Sequence, residues 1–263
     1  MKRFAFLAVA AVALTLAAPA HAERFALDYD AHAFGLAPVG KVRFDFTIDG
    51  DSYDVITTVR SGGMYAVYGR QDVDGKSEGQ IANGLPRWNS YVTTTATKKK
   101  SRTTTMTRDG DAIAIDVKPR YATFGEPAAT EEQKRASYDP NNVLMAMGMT
   151  AARTKSCDGR YPTFDGRYLY DTVVTKGGGI GKIDEGGYKG PVLKCNMQLV
   201  PIAGYDARQR AEQKKNPPVG EVWFALVEGS SIAPPVRLLL PVTLTKVNLS
   251  LAKWTVSKIE IGD

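Results

Sequence analysis

The run CDGRYPTFDGRYLYDTVV, residues 157–174, brings a thiol, carboxylates and tyrosines together and repeats Asp-Gly-Arg-Tyr. Two carboxylates at a suitable separation are all that glycoside hydrolysis requires. Asp158, Asp165 and Asp171, with Asp184 and Glu185 downstream, are the available acids. Asp158 and Asp165 each precede glycine, however, a pairing explained by turn chemistry, and nothing around either predicts a raised pKa. The competing reading is a pair of turns around Pro162, held by a disulfide.

Other chemistry finds little to build on. His32 is the one histidine beyond residue 22, and no Gly-x-Ser-x-Gly elbow supplies a nucleophile for it. A zinc site would need several histidine or cysteine ligands. KGGGIGK, residues 176–182, lacks phosphate-loop spacing and the hydroxyl residue after Lys182; it is expected to be a flexible loop between strands. The sequence predicts no enzyme, no metal and no cofactor.

The first residues predict export. Lys2 and Arg3 precede the apolar stretch from Phe4 to Ala18, Pro19 breaks it, and Ala20-His21-Ala22 is a small-x-small cleavage pattern. Residues 1–22 are expected to be a cleaved signal peptide, and 23–263 a single β-rich periplasmic domain without a transmembrane segment. The formal net charge is +6 over the full chain. Removing Lys2 and Arg3 leaves a mildly basic balance, which favours loose attraction to anionic surfaces, and an exported chain is a poor fit to nucleic acid. The two cysteines, Cys157 and Cys195, are an even count in an exported protein and predict one disulfide. The closed loop of about 39 residues is worth about 4 kcal/mol in the chain-entropy picture.

Period-two alternation then runs along the chain. Val42, Phe44, Phe46 and Ile48 alternate with polar residues, Asp49-Gly50 makes a turn, and Tyr53 to Val59 return. Ser101 to Arg108, Asp109-Gly110 and Ile113 to Val117 repeat the device. Arg24 to Phe34 reads as a strand followed by a turn over Gly35 to Gly40. Lys98, Lys99, Lys100 and Arg102 fall at a basic hairpin tip, a candidate contact for anionic lipid or polysaccharide, or simply a solvated tip that blocks aggregation.

In the middle, Thr130 with Gln133 forms a capping box. Asp139-Pro140 caps a second helix over the apolar run Val143 to Met149. Met145, Met147 and Met149 are candidate ligand-lining residues, since flexible methionines suit an adaptable pocket, although they also fill ordinary cores. Asp206 caps a charged helix from Ala207 to Lys215. Leu193, Cys195, Met197 and Leu199 alternate with polar residues, which points Cys195 into the core. Around eight to twelve strands with two or three short helices predict a mainly β, antiparallel meander curled into an open barrel or half-barrel. A two-sheet β-sandwich is the alternative.

CDGRYPTFDGRYLYDT, GYKGPVLKCNMQLVPIAGY and PVRLLLPV resemble the signature blocks of the domain of unknown function 3108 family, a group of exported proteins from Gram-negative bacteria. YDPNNVL is similar to that family's Asp-Pro helix start. The resemblance implies a periplasmic β-rich domain with a conserved cysteine pair at Cys157 and Cys195, and offers no catalytic residue to transfer. A likeness to the open barrels of lipoprotein-carrier proteins is fold-level analogy. The expected function is non-enzymatic binding of a lipid or other amphiphile in the cell envelope. Envelope scaffolding through a sheet edge and a carboxylate-based glycan hydrolase are the alternatives.

Overall fold

The computed structural model describes residues 21–63, 66, 70–242 and 245–260. Most of the expected signal peptide therefore lies outside the described residues. Thirteen strands form one antiparallel sheet: β1 (His21–Ala33), β2 (Ala37–Asp49), β3 (Ser52–Ser61), β4 (Gln71–Ala82), β5 (Leu85–Thr97), β6 (Ser101–Asp109), β7 (Ala112–Lys118), β8 (Gly159–Phe164), β9 (Leu169–Glu185), β10 (Tyr188–Ala203), β11 (Val219–Ala225), β12 (Pro235–Val242) and β13 (Thr245–Glu260). Among the described residues the helices with defined bounds are α1 (Glu131–Arg135), α2 (Asn142–Thr154) and α3 (Ala207–Lys215).

The order is β7-β6-β5-β4-β3-β2-β1-β13-β12-β11-β10-β9-β8. Two meanders are thus zipped together where the first strand pairs with the last, from His21 opposite Glu260 to Ala33 opposite Val247. The edge strands β7 and β8 do not pair, so the sheet stays open. One continuous ladder replaces the sandwich alternative, and the strand number exceeds the range read from sequence.

Alternation explains the faces. Phe25, Leu27 and Tyr29 of β1 and Phe46 of β2 are buried on the concave side, because successive side chains on a strand point oppositely. Arg43 on the convex side bonds Asp28 at 2.9 Å and Asp45 at 2.7 Å. Gly50 and Gly110 take positive φ, 55° and 56°, at the two Asp-Gly turns, a conformation glycine adopts without a Cβ penalty.

The segment between β7 and β8 carries α1 and α2 into the concavity. Val143, Met145, Ala146, Met147, Met149 and Ala151 of α2 join one core with residues of β1–β3 and β8–β13. The loop after β11 covers the helix from the other side: Ala233 N–H donates to Gly148 C=O at 3.0 Å. A smaller core, with Trp88, Tyr91, Met106, Phe164 and Leu169, joins β5 and β6 to the β8–β9 hairpin and so draws the two halves of the sheet together.

Several local readings change. KGGGIGK is not a loop; it lies within β9, where Lys194 lies against Gly178 and Gly181 on the opposite strand. A Cβ on Gly181 would stand 2.9 Å from Lys194 Cε. Gly159 begins β8 rather than making a turn, and its missing side chain makes room for the Tyr161 ring, 2.6 Å from where a Cβ would sit. The turn expected over Gly35 to Gly40 is shorter, because β2 already starts at Ala37.

Candidate functional site

Cys157 and Cys195 are joined, with S–S 2.03 Å and Cα atoms 5.5 Å apart. Both are buried, at 6% and 1% exposure, so the bond staples the approach to β8 onto β10 inside the core. The acids of the repeat are engaged structurally. Asp165 Oδ1 accepts from the backbone N–H of Arg167 at 2.9 Å and of Tyr168 at 2.7 Å, closing the β8–β9 turn. Asp171 pairs with Arg160, Glu185 with Arg237, and Asp184 with Lys189 at 2.8 Å. Asp158 accepts from Ser156 Oγ at 3.0 Å. His32 lies half-buried in β1 opposite Asn248 and Pro38.

The start of α2 is a buried polar knot. Asp139 is fully buried; its Oδ1 accepts from Ser77 Oγ at 2.6 Å and from the N–H groups of Asn141 and Asn142 at 2.8 and 3.0 Å. Asn142 Oδ1 reciprocates to the Asp139 N–H at 2.9 Å, and Asn142 Nδ2 donates to Tyr53 Oη. Asn141 Oδ1 accepts from Thr57 Oγ1 at 3.0 Å. Asp139 thus closes the turn that leads into α2, whose N-cap is Asn141 rather than the Asp139 expected from sequence; Asp139 pins the helix start to β4, and Asn141 and Asn142 pin it to β3. Burial pushes the Asp139 carboxyl up to about 6, against the downward pull of Ser77 and the backbone donors. Asp139 Oδ2 and Asn141 Nδ2 have no partner. Burial likewise raises Asp165, opposed by its two backbone donors.

The methionines are interior residues. Met145, Met147 and Met149 are 0%, 2% and 6% exposed and pack among strand side chains. Their burial favours the core-filling alternative: the helix occupies the space inside the curved sheet. Lys98, Lys99 and Lys100 do occupy an exposed tip between β5 and β6. Arg102 is drawn off it, with Nε donating to Pro119 C=O at 3.0 Å and the guanidinium 4.2 Å from the Tyr121 ring centroid.

An open pocket of about 410 Å³ lies where β5, β6 and the β6–β7 turn meet α1. Three arginines line it: Arg87, Arg108 and Arg135, with Trp88 beneath and Asp111 and Glu132 at the rim. Trp88 is locked by its Nε1 donating to Ser137 C=O at 2.9 Å. The Arg108 guanidinium lies over the Trp88 ring, 4.4 Å from its centroid, and both terminal nitrogens donate to Arg135 C=O at 3.1 Å. Arg108 Nε is buried without a partner. Burial and then the neighbouring Arg87 lower the Arg108 pKa, the mark of a cation held in unfavourable surroundings. None of the three is among the ion pairs of the described residues. A second depression, about 390 Å³, carries Asp49, Asp54 and Glu78 and has the opposite character. Sequence reasoning missed the arginine pocket, whose members come from three separate segments. The β5–β6 register, Ser90 opposite Thr107, is the signal that brings Arg87 and Arg108 together.

These features define an open, helix-filled barrel-like sheet. A crystal structure described as a beta-barrel-like protein of domain of unknown function DUF1849, from Brucella abortus, is similar at TM-score 0.51 and 10% identity, covering 91% of this chain and 98% of that one. At that identity the likeness concerns the fold. The profile of the family described as protein of unknown function (DUF3108) matches residues 28–238, and the chain belongs to that family. A search of the curated proteins finds no match.

Proposed function

We propose that the protein is a non-enzymatic binding protein of the cell envelope, exported to the periplasm, that receives the anionic end of an amphiphile at the Arg87–Arg108–Arg135 pocket. The observation that carries this reading is Arg108: a stacked, partly desolvated guanidinium with a buried Nε, attracted by Asp111 across the pocket but in no direct ion pair among the described residues. Guanidinium groups offer planar, paired donors that suit phosphate or carboxylate, and Trp88 and Pro86 give the same pocket an apolar wall. Export is supported by the charged, apolar and small-x-small order of residues 2–22 and by the disulfide. A non-enzymatic role is supported by the carboxylates of the 157–185 region, which serve turns, ion pairs and a serine hydrogen bond. Native mass spectrometry of protein purified from cell envelopes tests the proposal. Wild type is expected to carry an anionic adduct that R87Q/R135Q lacks; consistently ligand-free wild type contradicts it.

A second reading rests on β9. Its pairing with β8 ends at Val174, leaving Thr175–Glu185 bonded on the β10 side alone among the described ladders. Such an edge suits strand addition by another envelope protein. Crosslinking from residue 180 that recovers no partner weighs against it.

A further inference from the structure

We propose that the β1–β2 end of the sheet docks on an anionic lipid bilayer, with Phe34 and Leu36 entering the interface and the β5–β6 lysines lying on the headgroups. Leu36 and Phe34 are the most exposed large apolar side chains among the described residues, at 88% and 76%. They flank Gly35 in the tight turn between β1 and β2, and so project from a convex tip. Phe34 holds φ 48° and Gly35 φ 89°. The left-handed region is unfavourable for a bulky aromatic and comfortable for glycine or asparagine, so a turn chosen for backbone ease alone would not place phenylalanine there.

The antiparallel order supplies the second half. Successive hairpins of a meander turn at alternate ends, so the β1–β2 turn and the Lys98–Lys100 turn between β5 and β6 share one end of the sheet. Four strand spacings separate them, roughly 20 Å along the rim. Lys41, 80% exposed at its side chain and paired with Asp30 at 3.2 Å, lies further down the same hairpin, so the cations available at this end are those of the β5–β6 tip. The Asp-Gly turns at Gly50 and Gly110 fall at the opposite end. Apolar points flanked by cations match an interface of acyl chains beneath anionic headgroups. Two projecting side chains offer far less area than the roughly 800 Å² per partner of a stable protein interface, which favours the bilayer over a protein groove.

This proposal is independent of the arginine pocket, which lies at the other end of β5. Co-sedimentation of the exported, processed protein with phosphatidylglycerol/phosphatidylethanolamine vesicles tests it. Wild type is expected to pellet with them and to release as salt rises. F34D/L36D, at exposed positions, is expected to keep the wild-type melting temperature and bind about tenfold more weakly. K98Q/K99Q/K100Q is expected to bind several-fold more weakly with a flatter salt dependence, while R87Q/R135Q still pellets. Wild type remaining in the supernatant, F34D/L36D binding as tightly as wild type, or binding lost only in R87Q/R135Q each overturns the proposal.

Discussion

Ser77 Oγ on β4 donates to Asp139 Oδ1 at 2.6 Å, across 62 residues of chain, and fixes the start of α2 inside the curved sheet. Because Asp139 is fully buried, its carboxyl is pushed up to about 6, whereas an unfolded aspartate ionises near pH 4. Ionisation is therefore disfavoured by folding. The stability linked to this group is complete below about pH 4 and is lost as pH rises through about 6, by about 3 kcal/mol in all. Asp165, also raised by burial, adds in the same direction. Urea unfolding between about pH 4 and pH 7 should show the gap between wild type and D139N shifting in favour of D139N as pH rises. Parallel curves for the two proteins would contradict this assignment.

The disulfide should be worth about 4 kcal/mol, through the loop of 38 residue steps that it closes. C157A/C195A should unfold at lower urea than oxidised wild type, and reductant should move the wild type alone. Equal midpoints for oxidised wild type and C157A/C195A would mean the bond constrains nothing.

Met145 should behave as a core residue. It is fully buried on α2, so Met145→Ala should lower stability by about 2–5 kcal/mol and leave ligand retention intact once the protein is folded. A stable M145A variant with altered ligand mass would restore the methionines to a binding role.

Gly148 inverts the usual helix rule. Alanine favours a helix interior over glycine by about 1 kcal/mol. Here an added Cβ would stand 2.6 Å from Ala233 C=O, on the loop whose N–H bonds Gly148. Gly148→Ala should therefore destabilise by about 1–3 kcal/mol in chemical denaturation. A stabilised variant would show that the covering loop yields freely.

Long hairpins with large alternating residues were legible in the sequence, as was a helix following Asp139-Pro140, although its N-cap falls two residues later, at Asn141. β4 was not. Its inward positions Gly75, Ser77 and Gly79 face Asn141, Asp139 and Tyr53, so polar contacts and close approach replace the apolar alternation that marks a strand. β9 was obscured for a related reason, since its glycines accommodate Lys194 and a bulge opposite Lys194 and Cys195. The methionines revealed a buried helix but not what surrounds it, because an apolar side chain reads alike against a ligand and against a strand. The arginine pocket depends on contacts among residues 87, 108 and 135, which no local pattern carries.

The most direct test of the binding proposal is calorimetric titration of purified protein with lysophosphatidylglycerol below its micelle-forming concentration, beside zwitterionic lysophosphatidylcholine. The pocket predicts one saturable site for the anionic lipid, weakened about tenfold or more in R87Q/R135Q, and little binding of the zwitterionic one. Absence of saturable binding by wild type, or equal affinity in R87Q/R135Q, would contradict it.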